Sequence, residues 1–340
     1  MYKTFPLHPD TVLTHGRVCW TSSSLQLSWT NAGCSFRFQG TGADIALLPF
    51  QEEFPQPIYM NLEVDGITLC VVPLFSGEST PQHLIVHGLP DQTHRLRIRR
   101  CTEAQDHPPV CLASVTLSGE DPQLLPPPAP SPRRMEFLGD SITCGYGSIG
   151  TPDTHTYLTS QQDSTRTYAA LTAAYFGADD RYICMSGQGV VRNCNGEIGT
   201  PLPRFFHYAT LQNTAPYPLG SWQPDVVVVN IGTNDVGGGV EPDTFRQEAR
   251  AFLADLREAY PEALVIWTYG LLNTQFMAAC RGAVESMADP RMTFLPMEPI
   301  SAHEIGGNGH PNLLAHRRAA DCLIAEVARL TGWGPAEETR

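Results

Sequence analysis

Four short stretches carry residues whose types fit one kind of chemistry. The apolar run RMEFLGD ends at Gly139-Asp140 and is followed at once by Ser141. Ser186-Gly187-Gln188-Gly189, Gly232-Thr233-Asn234-Asp235 and Gly309-His310-Pro311-Asn312 follow in chain order. A serine hydroxyl becomes a nucleophile when a base takes its proton, and histidine titrates in the useful range. Backbone N–H groups and a side-chain amide can hold the oxyanion of a tetrahedral intermediate. Glycine lets the backbone approach closely, and asparagine offers a neutral N–H donor. Together these are the parts of an acyl-transfer site. Singly, each has a plainer use. Ser141 fits a helix cap, the glycines fit turns, Asn234 fits an Asx-turn and His310 fits a loop histidine.

What brings them together is the pattern of elements. From Met135 onward, strand-like runs (RMEFLGD, YICMSG, DVVVVNIG, ALVIWTYG, MTFLPM) alternate with helix-like segments at 165–176, 243–259, 275–288 and 311–331. Val226–Val229 is continuously apolar, as a strand covered on both faces requires. The alternation predicts a parallel sheet with helices on both sides, whose ligands bind beyond the carboxyl ends of the strands. The serine, the glycines, the asparagine and the histidine all fall at such ends. Residues 16–119 differ. SLQLSW, CSFRFQG, IYMNLEV, ITLCVVPLF, HLIVHGL, HRLRIRR and CLASVTL read as short strands, with Asp65-Gly66 as a hairpin turn. They predict an N-terminal jelly-roll-like β-sandwich over 1–123. The proline-rich stretch LLPPPAPSPRR, 124–134, then serves as a linker, and the second domain covers 135–340.

Composition excludes several classes. Of 340 residues 42% are hydrophobic and 17% charged, enough apolar material for packed cores. The net charge of −13 argues against nucleic acid and anionic membranes as partners. No run is long and apolar enough for a membrane span, and MYKTFPLHPD lacks a signal-peptide pattern, so a cytoplasmic location is expected. The ten cysteines show no CxxC spacing and are expected as reduced thiols.

GDSIT, SGQG, GTND and GHPN, in that order, resemble the conserved blocks of the SGNH (GDSL-type) hydrolases. No G-x-S-x-G motif surrounds Ser141, which separates the chain from the ordinary α/β-hydrolases. A β-sandwich joined to GDSITCGYG, MSGQGVVRN and GHPN is similar to the two-domain acetyl esterases of carbohydrate esterase family 2. The resemblance implies a flavodoxin-like α/β/α domain and a serine esterase that deacetylates xylan, glucomannan and related sugars, with a preference for the 6-position where it exists. It implies Ser141 as nucleophile, His310 as base, and the Ser141 and Gly187 N–H groups with Asn234 as oxyanion donors, Gly189 being the other glycine to consider. No metal or cofactor is implied, and the partner is an acetylated oligosaccharide.

One part is missing. Most SGNH enzymes place an aspartate three residues before the histidine, and here that position is Gly307. Either the protein is a non-catalytic sugar binder, or another acceptor orients His310. Members of family 2 are described as using a backbone carbonyl, which points to 306–309; Glu304 is the nearby carboxylate. Tyr208 and Trp222, in and beside the long 192–223 insertion, are candidates for stacking on a sugar ring, and Arg192 for a sugar hydroxyl or an inter-domain ion pair. His316 falls on the apolar face of the last helix and is expected to be packed. Asp140 and Asp235 are expected to pin loops through backbone N–H groups. The sandwich has three open roles: glycan binding, shaping the cleft, or stabilising its neighbour. Another short-chain ester or thioester hydrolase is the remaining reading.

Overall fold

The computed structural model describes residues 1–336 except 51, 78–81 and 106, so the last four residues of the expected second domain lie outside the described residues. The chain divides into two compact units, Met1–Pro130 with Thr210–Gln212, and Ser131–Ala209 with Asn213–Arg340.

Ten antiparallel strands build the first unit as one hydrogen-bonded sheet. HLIVHGL and HRLRIRR, which read as separate strands, form one strand, His83–Arg100. Both halves pair with the same partner, Gly33–Leu47, and the chain bulges out only where Gly40 and Gly42 face Gln92 and His87. The turn residues between them mark that bulge rather than a strand end. Tyr2–Pro6 is a strand that the sequence pattern did not reveal. Gln123–Leu125 is another, and it pairs with Gln39–Arg37, so the expected linker begins inside the sheet. Gln212 belongs to this unit. It accepts a hydrogen bond from Ser28 and donates one to the His107 carbonyl.

The second unit has a parallel five-stranded sheet: β1 Arg134–Gly139, β2 Asp179–Cys184, β3 Val226–Asn230, β4 Leu264–Tyr269 and β5 Met292–Pro296. Its helices are α1 Ser141–Cys144, α2 Tyr168–Phe176, α3 Leu202–Phe205, α4 Thr233–Gly237, α5 Pro242–Ala259, α6 Met277–Ser286 and α7 Leu313–Thr331. The strand order is β2-β1-β3-β4-β5. Val226–Val229 is fully buried because helices cover both faces. On one face Ala169, Ala173 and Phe176 of α2 and Ala320, Leu323 and Val327 of α7 join Phe137, Tyr182 and Val228 in one core. On the other, Phe245 of α5 meets Trp267 of β4 edge-on, ring centroids 6.2 Å apart. From β1 the chain passes to β2 on one side, then crosses to β3 on the other. The carboxyl ends of β1 and β3 therefore flank the crevice where doubly wound sheets bind ligands. Among the described residues no helix is long and apolar enough to cross a membrane.

Candidate active site

Ser141 is the first residue of α1, directly beyond β1. It is not the cap. Asp140 takes that role, its Oδ1 accepting from the Ile142 N–H at 3.0 Å. The strand turns into the helix so tightly that a Cβ at Gly139 would stand 2.2 Å from Thr143 Oγ1, which accounts for the small residue before Asp140. Ser141 is only 6% exposed.

His310 arrives from the loop before α7. Its Nε2 lies 2.9 Å from Ser141 Oγ, across 169 positions of sequence. Its Nδ1 lies 3.0 Å from the Asn308 carbonyl oxygen. A carbonyl can only accept, so the proton sits on Nδ1, and Nε2 presents a lone pair to the serine hydroxyl. The orienting oxygen thus falls inside the 306–309 stretch, contributed by a residue in the left-handed region (φ 50°) that asparagine tolerates. Burial holds the His310 imidazole below its ordinary value, partly offset by the Asn308 carbonyl. The ring is therefore neutral near neutral pH.

An acid at position 307 would have to displace the end of the Gln161 side chain, which bonds Thr154, and would press on the Gly147 main chain at 3.3 Å. A Cβ there would stand 2.6 Å from Gln161 Oε1. Glu304 is engaged elsewhere: it grips Arg318 at 2.6 and 3.1 Å, completes a capping box with Ser301, and its carboxyl is held down to about 2, chiefly by the Arg318 hydrogen bond. His316 is fully buried on α7. Its Nδ1 accepts from the Tyr168 N–H at 3.2 Å, and burial pushes it down to about 3.

The other strand ends are tied together by carboxylate and amide groups. Asn234, on the short α4 after β3, donates from Nδ2 to the Gln188 carbonyl at 2.8 Å and more weakly to Asp140 Oδ2 at 3.3 Å. Asp235 accepts from the N–H groups of Val190, Val191 and Arg192 at 2.8, 2.7 and 3.0 Å. Gly187 is half-buried with φ +76°, a conformation glycine adopts without strain, and its carbonyl accepts from Cys194 N–H. Gly189 is buried and wraps Asp235; a Cβ there would stand 2.4 Å from the carboxylate. Burial raises the Asp235 carboxyl, and it raises Asp140 to about 7. Gln188 was not foreseen as the residue that aims Asn234. Its place in SGQG was the only signal.

The expected sugar-stacking residues are not brought here. Trp222 is 7% exposed, and its indole N–H donates to Asp179 at the amino end of β2, with Arg181 stacked on its ring. That is the opposite end of the sheet from Ser141. Tyr208 pairs with Pro216 in a segment whose Phe206 packs on Phe252 and Tyr260 of the α5 end, again away from the strand carboxyl ends. Phe205, Phe206 and Trp222 are buried in the core, as are Trp267 and Tyr269 of β4, whereas Tyr208 is half-buried. Arg192 is exposed, at the last position of the turn held by Asp235. The aromatic residue beside the site is Tyr146, whose ring lies 4.3 Å from that of His310. It stood in GDSITCGYG with nothing in its spacing to mark it.

A profile of the GDSL-like Lipase/Acylhydrolase family matches residues 137–329, and one described as Carbohydrate esterase 2 N-terminal matches 14–128. The chain is 28% identical over 337 residues to Cellulase/esterase CelE of Acetivibrio thermocellus, covering 95% of this chain but 40% of that protein. It is 30% identical over 251 residues to an Acetylxylan esterase / glucomannan deacetylase of Cellvibrio japonicus, covering 71% of this chain and 68% of the relative. The structure of a family two carbohydrate esterase from Clostridium thermocellum, in complex with cellohexaose, superimposes with a TM-score of 0.86 at 24% identity, over 95% of this chain and 99% of the other.

Proposed function

The chain belongs to the GDSL-like lipase/acylhydrolase family and carries the N-terminal region of carbohydrate esterase 2, and from that premise we propose that it is a serine esterase removing O-acetyl groups from acetylated xylo-, manno- or gluco-oligosaccharides. The observation that carries this reading is the 2.9 Å approach of His310 Nε2 to Ser141 Oγ with Nδ1 engaged by a peptide oxygen. His310 takes the hydroxyl proton as Oγ bonds to the acetyl carbon. The oxyanion rests on the N–H groups of Ser141 and Gly187 and on Asn234 Nδ2, which turns from its weak contact with Asp140. The bond to the sugar oxygen breaks, and that oxygen leaves with the proton from Nε2. Water then gives a proton to His310 and attacks the acetyl-enzyme, and Ser141 recovers the proton as acetate departs. Arg192 meets the sugar beyond the turn.

The names of both relatives support an esterase, and that of the Cellvibrio protein supports xylan and glucomannan acetyl groups. The test is acetate release from acetylated xylo- and manno-oligosaccharides, set against acyl thioesters and longer-chain esters. Ser141→Ala is expected to abolish it. Glycan binding without acetate release by the parent protein would replace the reading with that of a sugar binder.

A further inference from the structure

Among the described residues no carboxylate pairs with His310, yet its ring is held from a second side. The four-residue α1 ends at Gly145, and the Tyr146 N–H closes back onto the Ser141 carbonyl at 3.0 Å. That return places the Tyr146 ring 4.3 Å from the His310 ring at 37°. Tyr146 also stacks on Tyr157, centroids 4.7 Å apart and 20° from parallel. Tyr157 is itself anchored, its hydroxyl donating to Gln162 at 2.6 Å. The phenol oxygen of Tyr146 accepts from Asn308 Nδ2 at 3.1 Å, so one side chain touches both the imidazole and the residue whose carbonyl orients it. The loop after α1 also clasps the 306–309 stretch through Gly147 O to Gly307 N–H (2.8 Å) and Thr154 O to Asn308 N–H (2.6 Å).

We propose that Tyr146 is a positioning residue that stands in for the missing acid. Its hydroxyl fixes Asn308 in the left-handed turn that aims the carbonyl at Nδ1. Its ring presents an electron-rich face to the imidazolium formed as Ser141 is deprotonated. A neutral carbonyl orients the ring but brings no full charge to the cation. An aromatic face within about 6 Å supplies about 0.5–2 kcal/mol of that attraction. Among the described residues the titratable side chains facing His310 are Tyr146 from this loop and His316 from α7, and His316 is held neutral by burial. The proposal rests on the hydrolytic reading of Ser141 and His310.

The test compares Tyr146→Leu and Tyr146→Phe with the parent protein. It reads the His310 titration by NMR, the pH profile of kcat/KM on an acetyl ester, and thermal melting as a check of folding. The ring favours imidazolium, so Tyr146→Leu is expected to lower the His310 titration and move the acid limb down by about one pH unit. In the same variant kcat falls about 10- to 150-fold with KM little changed, about 2- to 30-fold from the ring and about fivefold from the lost Asn308 bond. Tyr146→Phe keeps the ring and so lowers the titration less than Tyr146→Leu does, losing about fivefold in kcat with the Asn308 bond. Identical His310 titrations in the parent and a folded Tyr146→Leu would overturn the proposal. If Tyr146→Leu does not fold, a kcat of Tyr146→Phe equal to the parent's would do the same. The titration needs no turnover, so its failure is separable from failure of the hydrolytic reading, which absence of acetate release by the parent would mark.

Discussion

At the scale of the residue, the site is governed by what each group is free to do. Asn234 already spends one N–H on Gln188, and its second points weakly at Asp140. If that second proton meets the oxyanion, Asn234→Ala lowers turnover about 10²- to 10³-fold, measured as acetate release, with little change in KM. Gly307→Asp puts back the carboxylate that related sites carry. The new Cβ pushes the end of Gln161 off Thr154 while Nδ1 stays engaged by the Asn308 carbonyl, so the expected outcome is a loss of about 1 kcal/mol in stability and no gain in kcat, checked by denaturant unfolding and steady-state kinetics. The lowered His310 has a kinetic consequence of definite sign. A base must be unprotonated, so kcat/KM should hold from neutral pH to below 6.5 and fall only under the depressed value. A rate that declines from above pH 7 would contradict this.

At the scale of the element, three strand-end loops act as one body because two carboxylates bind them. Asp235 alone holds the turn over 190–192. Asp235→Ala leaves three main-chain donors unpaired and should cost at least about 3 kcal/mol, read from urea unfolding, whereas Asp235→Asn, keeping one acceptor, should cost less. This level was also the most legible in sequence. The continuous apolar run of Val226–Val229 and the helical periods behind it predicted β3 and α5, and strand ends had to carry the chemistry because the strands are parallel. What escaped notice lacked a periodic signal. The union of HLIVHGL with HRLRIRR depends on a shared partner strand, which local residues do not encode. Trp222 and Tyr208 were placed near the sugar by composition, but a tryptophan satisfied by Asp179 is indistinguishable in sequence from one lining a cleft. Tyr146 was invisible because its importance comes from His310, met 164 positions later.

At the scale of the whole molecule, buried titratable groups shape stability against pH in opposing ways. His316 is pushed down to about 3 from 6.5, so its share of stability is complete above 6.5 and is lost as pH falls. Asp140 is raised to about 7 from 3.8, so its share is complete below 3.8 and is lost as pH rises through 7. Between about pH 4 and 6.5 the two slopes oppose each other. Asp140→Asn removes one of them, because Asn does not titrate. That variant should therefore gain stability relative to the parent as pH rises from about 4 to 7, in parallel urea titrations; a constant difference across that range would mean Asp140 ionises as an ordinary carboxylate.

The Asn308 carbonyl that faces Nδ1 belongs to the main chain, and no exchange of side chains can delete it. A survey by single alanine replacements would pass over the group on which the imidazole depends and register only the shape of the loop that bears it. Evolution meets the same limit: a carboxylate can vanish with one nucleotide change, whereas this acceptor disappears only when the peptide itself turns away.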